Sequence, residues 1–156
     1  MPLPWQRITL FLATFGGIGY LPAMPGTWGS LAALPLWWVM QHLLGPRGYA
    51  LAWLGLLAVS LWAAGAAWDT LGEVDHPAIV LDEVMGLLAA LAWVPPKWPW
   101  VILGFALFRV FDIAKPYPLK LLEQLPGGFG VVMDDVAAGA AARVVLAVLL
   151  AISGGG

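Results

Sequence analysis

Long apolar runs dominate this sequence, and one of them is long enough to cross a lipid bilayer by itself. Residues 49–68, YALAWLGLLAVSLWAAGAAW, supply the roughly 20 apolar residues that a spanning helix requires. Hydrophobic residues make up 62% of the chain and charged residues only 10%, whereas a soluble globular protein carries about 25% charged residues. Because so few charges cannot cover a water-facing surface, the sequence predicts a membrane protein. The ten tryptophans agree, since indole rings favour the headgroup layer.

Five shorter apolar runs accompany this segment: 8–15, 31–44, 79–94, 100–111 and 136–152. We interpret 8–15 as an interfacial or tilted helix and the other four as short spanning helices whose ends lie in polar protein, because open lipid excludes irregular backbone. The small residues of AAGAA and AAGAAA would allow close helix packing. The sequence therefore predicts an all-α fold, a compact polytopic membrane bundle of about six helices, some short. We expect a single domain over residues 1–156, with no removed signal peptide.

Alternation of these helices across the bilayer sorts the connecting segments onto two faces. Connections 16–30, 69–78 and 112–135 share one face, while 45–48 and 95–99 share the other. All nine acidic residues lie on the first face or at helix ends that touch it: Asp69, Glu73, Asp75, Asp82, Glu83, Asp112, Glu123, Asp134 and Asp135. Lysine and arginine are slightly more numerous on this face, which favours a cytoplasmic orientation. We expect the chemistry of the protein to lie at this membrane surface.

Three charged clusters stand on the acidic face, each at a helix end. They are Asp82 and Glu83 in LDEVMG, Arg109, Asp112 and Lys115 in FRVFDIAKPYP, and Asp134 and Asp135 at the opening of the last helix. Carboxylate oxygens suit hard cations such as Mg²⁺, and arginine and lysine suit a phosphate. This mixture predicts metal-assisted phosphoryl hydrolysis. The alternative is that first-turn acids only complement the helix dipole, which does not account for Asp112 at a C-terminal end.

The uncharged segment GGIGYLPAMPGTWGS, residues 16–30, contains five glycines. Its backbone N–H groups, with the hydroxyls of Thr27 and Ser30, could approach a phosphate. The alternative is a structural turn in which Ser30 caps the following helix. The composition leaves both readings open.

Three further polar residues call for a structural interpretation. We expect His42 to be a packing or interfacial residue and His76 to be structural. Arg143 lies within the last apolar run, so we expect it to face the bundle and to bind a carboxylate or a carbonyl.

Composition also excludes several classes of function. A chain without cysteine forms no disulfide, no thiolate metal site and no cysteine nucleophile. Its net charge of −2 argues against a nucleic-acid partner.

Four motifs together resemble the phosphatidylglycerophosphatase A family: GIGYLPAMPGTWGSL, DHPAIVLDEVMG, FRVFDIAKPYP and PGGFGVVMDDVAAG. They occur in the order of that family and cover nearly the whole chain. The resemblance implies a bacterial inner-membrane, Mg²⁺-dependent lipid phosphatase with an all-helical fold. Such an enzyme would hydrolyse the phospholipid phosphatidylglycerophosphate to phosphatidylglycerol and inorganic phosphate.

The resemblance also implies roles for individual residues. The expected catalytic residues and metal ligands are the same five: Asp82, Glu83, Asp112, Asp134 and Asp135. The expected phosphate-binding residues are Arg109, Lys115, Thr27 and Ser30. Water attack with a carboxylate as general base is the simplest mechanism, and an aspartyl-phosphate intermediate stays open.

Two alternatives come from other classes. A CDP-alcohol phosphotransferase would match Asp135, Gly139, Ala142 and Arg143, but Ala138 stands where its second aspartate belongs, and no aspartate follows Arg143. A divalent-ion transporter would place acids near the bilayer midplane on several helices, whereas here we expect them at helix ends on one face.

Overall fold

The computed structural model describes residues 3–73 and 75–154, and within these ranges every regular element is a helix. Six α-helices follow one another along the chain: α1 Pro4–Ala13, α2 Pro25–Leu43, α3 Gly45–Leu71, α4 Leu81–Ala90, α5 Trp98–Ala114 and α6 Gly128–Ser153. Two 3₁₀ segments, Ile18–Tyr20 and Leu119–Gln124, lie between them. The predicted all-α helical bundle is confirmed.

The two longest helices of the bundle are α3 and α6. They have 27 and 26 residues, which at a rise of about 1.5 Å per residue is close to 40 Å. By length and composition both could cross a membrane. Large apolar side chains on their outer sides are exposed: Leu51 is 71% exposed and Ile152 is 78% exposed. An apolar outer surface of this kind agrees with the prediction of a membrane protein.

Helix α4 is short and lies inside the bundle, packed against α6, α2, α3 and α5. Its ten residues, Leu81–Ala90, are buried nearly throughout. At about 1.5 Å per residue it is roughly 15 Å long, half the thickness of the hydrocarbon layer. The prediction that 79–94 is a spanning helix is therefore wrong: the run folds into a buried half-length helix followed by a turn.

The C-terminal end of α4 is held by side chains of the surrounding helices. A helix leaves its last carbonyls without intrahelical donors, and inside an apolar bundle water does not replace them. Four side chains from α2, α3 and α6 donate to carbonyls in the last turn of α4 and in the segment that follows it: Tyr49 to Leu88 O (2.6 Å), Trp37 to Leu91 O (2.8 Å), Arg143 to Ala92 O (2.6 Å) and Gln41 to Val94 O (3.2 Å). The predicted carbonyl partner of Arg143 is thereby confirmed.

Glycines allow the backbone of α6 to contact the backbones of two neighbouring helices. A Cβ at Gly139 would overlap the carbonyl oxygen of Gly86 in α4, and a Cβ at Gly128 would overlap that of Leu61 in α3. Gly65 of α3 lies beside Gly128. These contacts involve both AAGAA and AAGAAA, so the prediction that these segments permit close packing is confirmed.

Helices α2 and α6 begin well before the apolar runs that predicted them, and this changes the placement of several predicted site residues. Helix α2 starts at Pro25, after Met24 as N-cap, so Thr27 and Ser30 belong to a helix and not to a glycine-rich loop. The alternative in which Ser30 caps the helix is also wrong, because its hydroxyl donates to Gly26 O one turn earlier, at 2.8 Å. Helix α6 starts at Gly128, so Asp134 and Asp135 lie in its second turn, not at its opening.

Both histidines have structural positions. The His76 ring nitrogen Nδ1 accepts a hydrogen bond from Ala78 N at 3.1 Å and closes a turn before α4. The His42 ring stacks on Trp38, with 4.3 Å between ring centroids. The structural interpretation of the two residues is confirmed.

Candidate active site

Three carboxylates from two helices meet at the N-terminal end of α4. One ligand atom from each of Asp82, Glu83 and Asp135 lies within 4.8 Å of the others. Asp82 is 6% exposed and Asp135 is 3% exposed. Residue 135 precedes Gly139 by one turn of α6, so the backbone contact between Gly139 and Gly86 lies directly beside this acid cluster. Close packing of α4 on α6 is therefore what brings the three side chains together.

The acid cluster has the chemistry of a cation site. Asp82 and Glu83 stand in the first turn of α4, where the helix dipole favours negative charge by about 0.3–1 kcal/mol. However, Asp82 Oδ1 and Glu83 Oε2 are buried without a hydrogen-bond partner in the described part of the chain. Leaving such oxygens unpaired costs about 1–3 kcal/mol each, more when charged. A set of carboxylate oxygens is what Mg²⁺ and Ca²⁺ bind, so these residues fit a hard metal ion.

An arginine and the start of another helix border the acid cluster. Arg109, in the last turns of α5, pairs through Nη1 with Asp112 Oδ2 at 2.5 Å. A Cβ at Gly26 would overlap Glu83 Oε1 and lie 3.3 Å from Arg109 Nη1. The first turn of α2 therefore rests directly on Glu83 and Arg109. Its N-terminal N–H groups add partial positive charge beside the guanidinium, and an anion is favoured there.

A second charge network lies next to the acid cluster. Lys115 Nζ donates to Asp134 Oδ2 at 2.6 Å and to Glu123 Oε1 at 2.8 Å. Burial of Lys115 disfavours its charged form, but the hydrogen bonds to Asp134 and Glu123 outweigh this and raise the pKa of the ammonium above its usual value. The contact with Lys115 lowers the pKa of Glu123. Lys115 therefore places a positive charge at the edge of the site, held between Asp134 and Glu123.

Asp134 and Asp135 have different surroundings although they are adjacent. Successive residues of a helix point about 100° apart. Asp135 consequently turns towards α4 and also lies close to Asp112, while Asp134 turns to Lys115 and accepts the N–H of Asp135 at 2.9 Å. The structure thus separates the pair into one member of the acid cluster and one partner of a lysine.

Most of the predicted site residues lie at this end of the bundle. Five are in direct contact or adjacent: Asp82, Glu83, Arg109, Asp112 and Asp135. Thr27 follows Gly26 in the first turn of α2 and is half-buried nearby. Ser30 is buried and its hydroxyl is engaged within α2, so the structure does not present it as a phosphate donor.

Two contributors to the site were missed from the sequence. Gly26 provides the close approach of α2 to Glu83, and its position in the motif PGTWGS is the only signal that singles it out. Glu123, which the sequence places only among the acidic residues of one face, binds Lys115.

Comparison with known proteins identifies the family of the chain. The family model described as Phosphatidylglycerophosphatase A matches residues 11–150. The chain belongs to the phosphatidylglycerophosphatase A family. The family prediction made from the four motifs is confirmed, and with it the prediction that the chain is a phosphatase.

Three curated relatives match nearly the whole chain. A phosphatidylglycerophosphatase A of Haemophilus influenzae is 36% identical over 92% of this chain and 92% of its own length. A phosphatidylglycerophosphatase A of Escherichia coli is 36% identical over 89% of this chain and 79% of its own. A Bacteroides thetaiotaomicron protein named "Putative phosphatidylinositol-3-phosphatase" is 39% identical over 90% of this chain and 92% of its own. No solved structure matches the chain.

Proposed function

We propose that this phosphatidylglycerophosphatase A family member hydrolyses phosphatidylglycerophosphate in the membrane, releasing phosphatidylglycerol and inorganic phosphate. The observation that carries the proposal is the acid cluster of Asp82, Glu83 and Asp135, with its unpartnered buried oxygens, directly beside Arg109. The names of two relatives support the substrate. The name of the third indicates another phospholipid phosphomonoester as substrate. All three names therefore support cleavage of a phosphate monoester on a lipid, and two of them support the phosphatidylglycerophosphate headgroup.

We propose Mg²⁺ as the cofactor, held by the carboxylates of the acid cluster. Arg109, which pairs with Asp112, lies beside this position. The bound ion would neutralise charge on the phosphate oxygens and lower the pKa of a water molecule. The support for Mg²⁺ over softer metals is the donor set, which within the cluster consists of carboxylate oxygens only.

The remaining steps belong to side chains of the chain itself. Arg109 would bind two phosphate oxygens through its planar fork, with Asp112 fixing its orientation. The first turn of α2, including Thr27, would donate N–H and hydroxyl groups to the same phosphate. One carboxylate of the acid cluster would take the proton of the attacking water. The water oxygen then bonds to phosphorus, the bond from phosphorus to the glycerol oxygen breaks, and that oxygen takes up a proton.

Lys115 and Asp134 have a supporting role in this scheme. Asp134 and Glu123 hold the ammonium of Lys115 from two sides, so its charge stands at a defined place beside the acid cluster. That charge would attract the phosphorylated headgroup and stabilise the negative charge that develops on the departing oxygen. Asp134 would thus act through Lys115 and not as a metal ligand.

Family membership argues against the two other functions considered, the CDP-alcohol phosphotransferase and the divalent-ion transporter. We further propose that the whole chain, residues 1–156, is one domain of the bacterial inner membrane with its site at the cytoplasmic face. The gathering of acidic residues of α4 and α6 at one end of the bundle supports a site at a membrane surface, and the slight excess of lysine and arginine on that face favours the cytoplasmic side.

The test is phosphate release by the purified protein in detergent, with Mg²⁺ or with a chelator. Phosphatidylglycerophosphate should be hydrolysed faster than phosphatidylinositol 3-phosphate and phosphatidic acid, and chelation should stop the reaction. Asp82→Asn should lower kcat by roughly 100-fold or more. The matched control is Asp69→Asn, which changes an exposed aspartate at the end of α3 and should leave kcat unchanged. Full activity of Asp82→Asn, or turnover in excess chelator, would refute the proposal.

A further inference from the structure

An apolar groove runs between α1, α3 and the beginning of α4. Its cavity has a volume of about 330 Å³. The side chains of Phe11, Leu12 and Phe15 form one wall, Leu56 and Val59 form the other, and Leu81 closes the inner end. Phe11 and Val59 are exposed on the outer surface of the bundle, so a hydrocarbon chain could enter the groove from the lipid.

The inner end of this groove is formed by the first residue of α4, the helix that carries two of the three acids. Leu81 is the residue directly before Asp82, and it begins the same helix. The α1 wall is fixed to this helix start, because Val80 N donates to Ala13 O at 3.0 Å. A molecule that lies in the groove therefore reaches the first turn of α4, the turn that also carries Asp82 and Glu83.

A second apolar cavity is larger than this groove, so volume alone does not identify the groove as a binding site. It has about 450 Å³ and is lined by Trp53, Trp93, Ala140 and Val144 among others. It lies at the opposite end of α4, where Arg143 also lines it. Arg143 follows Asp135 by eight residues, or about 12 Å along the helix. The larger cavity thus lies towards the C-terminal end of α4, whereas the smaller one reaches the first turn, which carries Asp82 and Glu83.

We propose that the groove between α1 and α3 binds one acyl chain of the phospholipid substrate and thereby positions its phosphate at the acid cluster. This inference rests on the proposed hydrolysis of a phospholipid. The hydrocarbon of a bilayer is as apolar as the groove, so transferring a chain into it releases little hydrophobic free energy. The benefit is orientation: a chain held between two helix walls restricts where the ester phosphate can lie relative to the reacting groups.

The experiment compares two substrates that carry the same phosphomonoester. One is dipalmitoyl phosphatidylglycerophosphate, and the other is its deacylated form, glycerophosphoglycerophosphate. Val59→Trp fills the groove beside the site. Val144→Trp is the matched control, because it places the same side chain in the remote cavity on another long helix. Both variants are first compared with the wild type by thermal unfolding in detergent.

Val59→Trp should lower kcat/KM for the diacyl substrate roughly tenfold and leave kcat/KM for the deacylated substrate unchanged. Val144→Trp should change neither value. An unchanged diacyl value for Val59→Trp, an equal loss with both substrates, or the same loss in Val144→Trp would overturn the acyl-chain site. Wild-type protein that hydrolyses neither substrate would instead refute the proposed function, so the two failures are distinguishable.

A second measurement applies where the deacylated substrate is hydrolysed too slowly to compare. A phosphonate analogue of the substrate, with a diazirine in one acyl chain, is cross-linked to the wild-type protein and the labelled peptides are identified by mass spectrometry. Labelling at Phe11 or Leu56 supports the site. Labelling confined to the peptides around Trp93 and Val144 would overturn it.

Discussion

Replacing Gly139 by alanine tests whether backbone contact between α4 and α6 assembles the proposed metal site. A Cβ at residue 139 would overlap the carbonyl oxygen of Gly86 and lie 3.1 Å from the Cβ of Ala89. Because a backbone carbonyl cannot rotate away as a side chain would, the two helices must separate or tilt. Asp135 lies one turn before this contact on α6, and Asp82 and Glu83 lie one turn before it on α4.

The expected effect on metal binding is larger than the effect on stability. Overpacking costs about 1–3 kcal/mol, and the better helix propensity of alanine returns up to about 1 kcal/mol. The free energy of unfolding should therefore fall by about 0–2 kcal/mol. Mg²⁺ holds oxygen ligands at about 2.0–2.1 Å in strict geometry, so a helix shift of about 1 Å removes a ligand. We expect the Mg²⁺ concentration for half-maximal activity to rise roughly 10–100-fold.

The assay is phosphate release across a Mg²⁺ titration, with thermal unfolding in detergent measured on the same samples. Gly55→Ala is the matched control, because a Cβ at Gly55 of α3 meets no atom within 4 Å, and it should leave the Mg²⁺ dependence unchanged. A wild-type Mg²⁺ dependence in Gly139→Ala would refute the reasoning, even if the variant is less stable. An equal shift in Gly55→Ala would refute it as well.

Two further predictions concern residues outside the acid cluster. Arg143→Met should lower the free energy of unfolding by about 1–3 kcal/mol, because Ala92 O loses its donor inside the bundle; an unchanged unfolding midpoint in detergent would contradict this. Glu123→Gln should cost less than about 1 kcal/mol, because the Glu123 side chain is 41% exposed in its pair with Lys115. Since the pKa of Glu123 is lowered in the folded protein, the difference from wild type should be complete above about pH 4.3 and disappear as the pH falls through the lower folded value. The measurement is the free energy of unfolding of the variant and the wild type as a function of pH. A difference between them that grows on acidification would show that the predicted sign is wrong.

Much of the site could be predicted because charge is rare in this chain. Against so apolar a background, Asp82, Glu83, Arg109 and Asp112 are conspicuous, and their clustering in short motifs indicated both a common surface and a phosphatase. Thr27 and Ser30 were harder to place, because the glycines and prolines around them suggest a loop, whereas the chain enters α2 at Pro25. Proline is well suited to the first turn of a helix, so this start was open to prediction.

The division of work between Asp134 and Asp135 depends on a helix start that hydropathy does not mark. The apolar run begins at residue 136, but α6 begins at Gly128, where small residues pack against α3. Only once both aspartates are known to be helical does the angle of about 100° between them assign Asp135 to the acid cluster and Asp134 to Lys115.

The sequence by itself determined the helical class, the membrane setting and the family, and it predicted the acidic and basic residues of the candidate site. The tertiary structure decided that α4 is a buried half-length helix, that Gly86 and Gly139 bring its acids to Asp135, and that an apolar groove ends at the first residue of α4. The physical reason is that lipid and protein interior are equally apolar. Hydropathy therefore identifies what avoids water, but it carries no information on whether an apolar segment faces lipid or another helix.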